Sequence, residues 1–540
     1  MKQIFENEFT YRKYVESNKE SEFDALFDEA VKNVKEHIFG KTYPMYLGGK
    51  EYTSDQKFTE KSPIDGTIIG YFQKGTREHA RIAINEAKAA AQTWKLKSYK
   101  ERAAIFRKAA DLFSKNKFML GAILSYENGK SRYESIGEVD EAIDFMRYYA
   151  NELEANKGYL RKNVIKESNK KVEAGFQGAP AITPEKITIR MEPFGVFGVL
   201  APFNFPLSIS VGMSTGAMIT GNTVVFKPSS DNMTMLTGLK IYELLKEAGL
   251  PDGVFNYLTG PGSEVGDELV ISKDVNGIVF TGSRSTGTRM IAKAYSLNLQ
   301  KMFVVEMGGK NPVIVSKYAD IEKAATGVAS AAFGFDGQKC SACSRVYVHE
   351  SIKEQFISKL IDKIREFKIG NPLDKSVYMG PLISESAFKT YNEAVEKLKA
   401  TGKILYGGNK VNTGLNGFYV EPTVAEVKHD NELVKRELFV PILLVEEYKE
   451  FNDAIRMAND VEYGLTSGLY SKNKKEINEY INSIEDGVIY INREISATTG
   501  AIVGMHTFVG WKGSSVGGKG TGSKFYLQQF MREQSISITQ

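Results

Sequence analysis

Cysteine is scarce in this chain of 540 residues, which has only Cys340 and Cys343. Two thiols leave no room for a disulfide framework, a pattern typical of a reducing compartment, so we expect a cytoplasmic protein. The pair forms a C-x-x-C, but a structural zinc site needs four ligands, and the five histidines include no nearby pair at ligand spacing. We therefore expect no metal site.

Long apolar runs are also absent. No stretch approaches the ~18 residues of a membrane-spanning helix. Residues 1–23 are of mixed charge without an apolar segment, which argues against a signal or transit peptide. The net charge of +4 is small for this length and does not favour nucleic acid or an anionic membrane as a partner.

The hydrophobic pattern predicts an α/β protein with an accessory β segment. By length, the chain would divide into about three domains. Residues 1–40 are predicted to be a polar helical extension. From residue 195, short apolar strands alternate with helices, the sign of a parallel sheet, and a second such block is expected from Met302. Residues 186–191 alternate in polarity and could form a half-exposed strand that reaches another subunit.

Cys340 is the strongest candidate for chemistry. It follows a predicted helix, Asp320–Phe333, and precedes a predicted strand, Arg345–Val348, so it falls in a connecting turn. A lone cysteine is often a small buried hydrophobe, and a C-x-x-C is sometimes a redox pair. A redox pair of the thioredoxin type would begin a helix, however, so we favour a nucleophile.

Two other motifs predict ligand binding at strand ends. Residues 280–287 read as a strand, a glycine-rich turn and a helix, where free N–H groups and the helix dipole favour phosphate, although an ordinary turn is equally plausible. Lys227 ends the apolar strand Val224–Phe226, at the sheet edge where α/β folds bind ligands. Its ammonium could hold a ribose or a phosphate, and the alternative is a solvated surface lysine.

Two further motifs predict catalytic support. Asn204 lies in the stiff apolar turn Pro202–Pro206, where its amide could stabilise an oxyanion or simply form the turn. Glu306 ends an apolar strand, and desolvation there would make its carboxylate a proton acceptor near neutral pH. The alternative for Glu306 is a surface ion pair with Lys310.

Six motifs, taken in order, resemble the aldehyde dehydrogenase superfamily over residues 40–530. They are PFNFP, VVFKP, FTGS, EMGGKNP, GQKC and Glu437–Leu438–Phe439. The resemblance implies that Cys340 is the nucleophile, that Glu306 is the general base, and that Asn204 forms an oxyanion hole with the Cys340 N–H. It also implies a thiohemiacetal that loses hydride to a nicotinamide cofactor and a thioester that Glu306 helps water to hydrolyse.

The same resemblance implies a cofactor site and a domain plan. The cofactor would be NAD, with NADP possible because Ser230 replaces a glutamate that often repels a 2′-phosphate. The implied cofactor contacts are Lys227, Gly282, Ser283, Ser230, Glu437 and Phe439. The implied fold is two Rossmann-like α/β domains with a small β oligomerisation extension. The expected units are a helical extension (1–40), a cofactor-binding domain (41–167 and 191–301), a catalytic domain (302–490), oligomerisation segments (168–190 and 510–540) and a substrate-anchor region (491–509).

The segment GQKCSACSR, together with residues 492–493, 499–504 and 521–523, is similar to the 1-pyrroline-5-carboxylate dehydrogenase branch. The resemblance implies oxidation of L-glutamate γ-semialdehyde to L-glutamate in proline catabolism. The implied substrate contacts are Ser341, Gly500, Ala501, Phe205, Phe508 and Glu141. Backbone N–H groups at Gly500 and Ala501 would hold the carboxylate, and Glu141 would meet the ammonium group.

Four other interpretations remain open at this point. The substrate could be another ω-semialdehyde, such as succinic semialdehyde. The enzyme could transfer the acyl group to coenzyme A, although Glu306 as a water-activating base argues against this. The scaffold could be a non-enzymatic binding protein, or the cysteines could be a redox pair. For partners we expect a small aldehyde and a second copy of the chain in a dimer-based homo-oligomer, but neither nucleic acid nor membrane.

Overall fold

The computed structural model describes residues 6–165, 185–230, 234–494 and 502–539. The elements up to residue 165 are α1 (Thr10–Glu16), α2 (Glu20–His37), β1 (Lys41–Tyr43), β2 (Met45–Leu47), β3 (Lys50–Tyr52), β4 (Lys57–Lys61), β5 (Ile68–Gln73), α3 (Arg77–Trp94), α4 (Tyr99–Lys115), α5 (Lys117–Asn128), α6 (Arg132–Ala155) and β6 (Leu160–Ile165). The expected helical extension is present as α1 and α2, whose Phe23 and Phe27 are fully buried. Helix α6 begins where Ser131 accepts a hydrogen bond from the Glu134 N–H, as serine often does at an N-cap.

The middle of the chain forms a twisted sheet with helices on both faces. The helices and strands in this part of the chain are β7 (Glu185–Pro193), which lies outside this sheet, β8 (Val196–Leu200), α7 (Ser208–Ile219), β9 (Thr223–Lys227), α8 (Met235–Glu247), β10 (Phe255–Tyr257), α9 (Asp267–Ile271), β11 (Gly277–Thr281), α10 (Arg284–Ser296) and β12 (Met302–Glu306). In the described chain this sheet has eight strands in the order β22-β12-β11-β8-β9-β10-β2-β3, where β22 is Ser515–Val516. Strands β8, β9 and β11 are buried at every position, as expected for parallel strands covered on both faces.

The second sheet carries the nucleophile segment. Its region contains β13 (Asn311–Val315), α11 (Ile321–Phe333), β14 (Cys343–His349), α12 (Lys353–Arg365), α13 (Glu385–Thr401), β15 (Lys403–Tyr406), β16 (Thr423–Glu426), β17 (Ile442–Tyr448), α14 (Phe451–Asn459), β18 (Tyr463–Gly464), β19 (Thr466–Tyr470), α15 (Lys474–Ser483) and β20 (Val488–Ile491). Seven strands of the described chain pair in the order β15-β16-β17-β14-β13-β19-β20. The structure thus confirms the predicted fold of two α/β units.

The end of the chain returns to the first unit. It contains β21 (Trp511–Lys512), β22 (Ser515–Val516) and β23 (Met531–Thr539). Strand β23 pairs antiparallel with β7, which pairs antiparallel with β6, so that three strands form a small separate sheet in the described chain. This sheet is the predicted accessory β segment, although residues 166–184 lie outside the described part.

Two expectations about strand membership are wrong. Strand β12 pairs in parallel with β11 and completes the first sheet, so the second sheet begins at Asn311 rather than at Met302. Most of the 510–540 segment is not an oligomerisation arm, because β22 pairs with β12 at Glu306 and residues 526–530 pack into the core of the first unit. Both errors concern pairing between distant segments, which local hydrophobic patterns do not specify.

The fold places a crevice where the carboxyl ends of the first sheet's strands face the segments that lead into the strands of the second sheet. The carboxyl ends of parallel strands are the usual ligand position in open α/β sheets. Of the described helices, none combines the length and apolar character that crossing a bilayer requires.

Candidate active site

Cys340 lies in a constrained turn between α11 and β14. A short 3₁₀ turn, Gly334–Gly337, follows α11, and within it Phe335 (φ 50°) and Asp336 (φ 56°) adopt the left-handed region that non-glycine residues avoid. Such backbone is kept only where the surrounding structure holds it in place, and it often marks a functional site. The predicted position of Cys340 in a helix-to-strand turn is confirmed.

The two cysteines have different environments. Cys340 is partly accessible and lines the crevice. Cys343 begins β14, packs in the core of the second unit, and donates its S–H to the Arg345 carbonyl at 3.5 Å. Cys343 therefore belongs to the packing of the sheet, whereas Cys340 faces the space where a ligand would bind.

Asn204 reaches the nucleophile turn from the first unit. It follows β8 and is almost fully buried, and its Nδ2 donates a hydrogen bond to the Gln338 carbonyl at 3.1 Å. An amide nitrogen carries two hydrogens, so one N–H of Asn204 remains available for an oxyanion. This hydrogen bond holds the Asn204 amide against Gln338, which lies two residues before Cys340 in the turn.

Glu306 ends β12 and lines the same crevice as Cys340 and Asn204. Its Oε1 accepts a hydrogen bond from the Ser515 hydroxyl at 3.3 Å, and its Oε2 has no protein partner among the described residues. Burial raises the pKa of Glu306 to about 8, although the Ser515 hydrogen bond opposes the shift. A carboxyl group with this pKa can take up and release a proton near neutral pH.

The alternative of a surface ion pair between Glu306 and Lys310 is wrong. Lys310 is 1% exposed, and its ammonium has no hydrogen-bond partner among the described residues. Burial, together with the positive charge of Arg345, lowers the pKa of Lys310 to about 7. Lys310 therefore does not neutralise Glu306.

The surroundings of Cys340 favour the neutral thiol over the thiolate. Burial raises its pKa to about 12, and the negative charges of Glu437 and Glu306 act in the same direction. The backbone N–H groups of Ser341 and Cys340 oppose the shift. The sulfur therefore needs a proton acceptor before it can act as a nucleophile, because the thiolate is the reactive form.

All six predicted cofactor residues line the crevice, which encloses about 440 Å³. They are Lys227, Ser230, Gly282, Ser283, Glu437 and Phe439. The Lys227 ammonium donates to the Pro228 carbonyl at 3.1 Å and to the Ser230 hydroxyl at 3.2 Å. The alternative of a solvated surface lysine is wrong, because Lys227 is only 8% exposed.

Helix α10 opens toward the crevice at its N-terminus. The Ser283 hydroxyl accepts the Thr286 N–H and caps the helix. Gly262 and Gly266 lie on the same wall, and a β-carbon at either would meet no protein atom within 4 Å. This wall thus combines open space with helix-terminal N–H groups, which suits a dinucleotide phosphate.

Glu437 forms the wall nearest to the nucleophile turn. Its Oε1 accepts the Gly309 N–H at 2.7 Å, and burial raises its pKa to about 7. Phe439 has φ 60°, and its ring packs edge-on against Phe203 at 5.8 Å between centroids. A fixed carboxylate beside an aromatic wall suits a ribose hydroxyl and an adjoining flat ring.

A smaller pocket of about 80 Å³ opens on the other side of Cys340. The predicted substrate residues Ser341, Phe205, Phe508 and Glu141 line it together. Gly500 and Ala501 lie outside the described residues. Burial raises the pKa of Glu141 to about 7, assisted by the charge of Glu138 and opposed by Lys130 and Lys339.

The comparisons with known proteins agree with this geometry. The model of the aldehyde dehydrogenase family matches residues 51–536. The chain belongs to the aldehyde dehydrogenase family. It is therefore an oxidoreductase, and the interpretation as a non-enzymatic scaffold is set aside.

Individual relatives are similar over almost the whole chain. A 1-pyrroline-5-carboxylate dehydrogenase of Geobacillus sp. (strain WCH70) is 36% identical over 529 residues, with 97% of each chain covered. The crystal structure of a 1-pyrroline-5-carboxylate dehydrogenase from Thermus with bound NAD has a TM-score of 0.89 and 32% identity, with 99% of each chain covered. Proline utilization A from Bdellovibrio bacteriovorus has a TM-score of 0.90 and 33% identity, and the match covers all of this chain and 54% of that longer one.

Several residues that line the small pocket were not predicted from the sequence. Phe145, Ile209, Met213 and Tyr526 line the small pocket with the predicted residues. Phe145 is buried on α6, and its place beside the pocket depends on how α6 packs against distant segments. Ser515 also has no sequence signal, because its position beside Glu306 depends on the pairing of β22 with β12.

Proposed function

We propose that the chain oxidises L-glutamate γ-semialdehyde, formed from 1-pyrroline-5-carboxylate, to L-glutamate in proline catabolism, with NAD⁺ as oxidant. One observation carries the proposal: the small pocket joins Cys340 and Glu306 to a partly buried carboxylate, Glu141, within an aromatic enclosure. A carboxylate in such a pocket suits the α-ammonium of an amino-acid aldehyde, since an opposite charge stabilises a group that is shielded from water. The relatives named as 1-pyrroline-5-carboxylate dehydrogenases support the same substrate.

The first unit would bind the cofactor, and the second would supply the nucleophile. Lys227 and Ser230 would hold the adenosine ribose, the α10 N-terminus at Ser283 the pyrophosphate, and Glu437 the nicotinamide ribose. Ser230 is a neutral residue beside a cationic one, which leaves NADP⁺ as a second oxidant. A bound nicotinamide supplies the hydride acceptor at Cys340, and the protein groups perform the remaining chemistry.

In the acylation half of the reaction, the Cys340 sulfur attacks the aldehyde carbon and its proton passes to Glu306, whose pKa of about 8 suits this exchange. The new carbon–sulfur bond turns the carbonyl oxygen into an oxyanion. The free N–H of Asn204 and the backbone N–H of Cys340 would stabilise this oxyanion. Loss of hydride from the same carbon leaves a thioester on Cys340.

Before the deacylation half, Glu306 releases the proton it took from Cys340 to solvent. Water then attacks the thioester carbon while Glu306 accepts a proton from the water. The carbon–sulfur bond breaks, the sulfur leaves with the bonding electron pair and regains a proton, and the product departs as a carboxylate. Since one Glu306 oxygen has no partner within the described part of the chain, it can accept a hydrogen bond from this water.

We also propose a dimer-based homo-oligomer and a cytoplasmic location. The β6–β7–β23 sheet ends in strands with exposed apolar side chains, including Leu160 (42% exposed) and Ile538 (55% exposed). Such edges commonly pair with another chain. Two free thiols suit a reducing compartment. Sedimentation of the purified protein tests the dimer, and a monomer at micromolar concentration would contradict it.

A substrate and cofactor screen tests the proposal. NADH and NADPH formation would be followed with L-glutamate γ-semialdehyde and succinic semialdehyde, each with and without coenzyme A. We expect the highest kcat/KM with glutamate semialdehyde and NAD⁺, without a need for coenzyme A. A large preference for succinic semialdehyde, or a requirement for coenzyme A, would overturn the proposed substrate or reaction.

A further inference from the structure

A buried ion pair lies behind the active site, and none of the steps above uses it. Lys130 is in the turn between α5 and α6, Glu138 is on α6, and both side chains are 0% exposed. The Lys130 ammonium donates to Glu138 Oε2. Burying two charges is costly, and a pair of this kind is weak support for stability alone. Its other contacts therefore indicate what it does.

Glu138 binds the segment that follows Asn204. Its Oε1 accepts the Leu207 N–H at 2.8 Å and the Ser208 N–H at 3.2 Å. These N–H groups begin α7 and would otherwise lack a partner, as at any helix N-terminus. The carboxylate also complements the positive end of the helix dipole. Glu138 thus fixes the C-terminal end of the turn that carries Asn204 and Phe205.

Lys130 contacts both loops of the active site. Its ammonium nitrogen lies 3.5 Å from the ring centroid of Phe205, the residue after Asn204. It also lies 4.8 Å from the ring centroid of Phe335, in the strained turn that leads to Cys340. The two rings meet edge-on with centroids 6.5 Å apart. An ammonium group is attracted to aromatic rings at such distances, and most strongly where water is excluded.

We propose that Lys130 and Glu138 are positioning residues that hold the Asn204 turn against the Cys340 turn. Glu138 fixes one loop through backbone N–H groups, and Lys130 joins that loop to the other through Phe205 and Phe335. The Asn204 amide then faces the oxyanion that forms on the Cys340 substrate. The inference rests on the roles given to Asn204 and Cys340 in the proposed function, but not on the identity of the aldehyde.

A double-mutant cycle between Lys130→Met and Asn204→Ala tests this coupling. Asn204→Ala in the native background should lower kcat by about 10²-fold or more, the usual cost of one oxyanion donor. In the Lys130→Met background the amide is already displaced, so the same change should cost less than about tenfold. A merely structural role for Lys130 predicts equal costs in both backgrounds, and that result would overturn the proposal.

The matched control is Lys117→Met. Lys117 is on α5, is 13% exposed, and donates to Glu8 Oε1 at 2.8 Å and Thr10 Oγ1 at 2.7 Å. The Lys117→Met variant therefore loses a similar ion pair, whereas the partners of Lys117 lie outside the Asn204 turn and the Cys340 turn. We expect additive effects of Lys117→Met and Asn204→Ala. The affinity for NAD⁺, measured by calorimetry, should stay within about twofold in both lysine variants, because the cofactor residues are separate.

A replacement variant and a measurement that needs no turnover complete the test of Lys130. If Lys130→Met does not fold, Glu138→Gln takes its place in the cycle, since it removes the charge and keeps an oxygen for the backbone N–H groups. The double-mutant cycle uses the aldehyde that the native enzyme oxidises fastest. The test of Lys130 therefore stays valid whichever aldehyde that is. If no aldehyde is oxidised, the proposed function fails. The alkylation rate of Cys340 by iodoacetamide then decides: we expect faster reaction in Lys130→Met than in Lys117→Met, and equal rates would contradict the positioning role.

Discussion

The two spaces on either side of Cys340 are built differently. The cofactor crevice is wide, about 440 Å³, and is lined largely by strand ends, glycines and a helix N-terminus. The smaller pocket encloses only about 80 Å³ and is lined by aromatic side chains around a partly buried carboxylate. A site that binds a large cofactor uses backbone groups that several short motifs supply. A site that selects a small molecule depends on side chains from distant parts of the chain.

Cys340 borders both spaces, so its loss should have the largest effect. We expect Cys340→Ser to lower kcat by about 10⁴-fold or more, because a serine hydroxyl is a far weaker nucleophile here. Cys343→Ser should retain most of the activity, since Cys343 packs in the core. Steady-state NADH formation measures both variants. Equal losses would revive the interpretation of a redox pair.

Substitution of Asn204 should have the next largest effect on activity, because its amide lines the crevice beside the Cys340 turn. Asn204→Ala should lower kcat by about 10²- to 10³-fold with little change in KM, since an oxyanion exists only in the transition state and intermediate. Initial-rate kinetics over a range of aldehyde concentrations separate the two parameters. A change confined to KM would show that the amide binds the ground-state substrate instead.

Substitutions on opposite sides of Cys340 should separate aldehyde from cofactor recognition. Glu141→Gln keeps the shape but removes the charge, so kcat/KM for glutamate semialdehyde should fall by about tenfold or more, with little change for succinic semialdehyde. Lys227→Met should instead weaken NAD⁺ binding and leave the aldehyde KM nearly unchanged. If both variants shifted both parameters equally, the comparison of two independent spaces would fail.

The pH dependence should give the smallest and most specific effect. Glu306 must be ionised to accept a proton, and burial raises its pKa to about 8, so kcat should rise with pH through about 8. The Ser515 hydrogen bond lowers that pKa. Ser515→Ala should therefore move the midpoint of the kcat profile to higher pH, by less than about one unit.

Ser514→Ala is the control for this profile, because the Ser514 hydroxyl accepts the Gly464 N–H and does not contact Glu306. Its profile should match that of the native enzyme. A midpoint that moved to lower pH in Ser515→Ala would contradict the assigned hydrogen bond.

The same contrast explains how much the sequence predicted. Lys227, Gly282 and Ser283 stand at strand ends within short motifs, so local pattern and resemblance were sufficient to bring them to one crevice. The predicted start of a helix at Asp320 and the predicted turn at Cys340 are also confirmed, because both features depend on neighbouring residues.

The features that sequence reasoning missed depend on long-range pairing. Ser515 lies beside Glu306 because β22 joins β12 across 209 positions of sequence. Lys130 meets Phe205 and Phe335 because a turn between two helices packs behind both active-site loops. Neither arrangement leaves a periodic pattern in the chain, since the partners lie in different elements.

The central claim is that Cys340 carries an acyl intermediate that Glu306 helps water to remove. The most direct test is Glu306→Gln in a Cys343→Ser background, where Cys340 is the remaining thiol. With glutamate semialdehyde and NAD⁺, we expect a burst of one NADH per active site, slower than acylation in the native enzyme because the Cys340 proton must then leave to solvent, followed by a stalled enzyme whose mass shows one hydroxylamine-sensitive acyl group on Cys340. Continued turnover at the native rate, with no burst and no adduct, would contradict it.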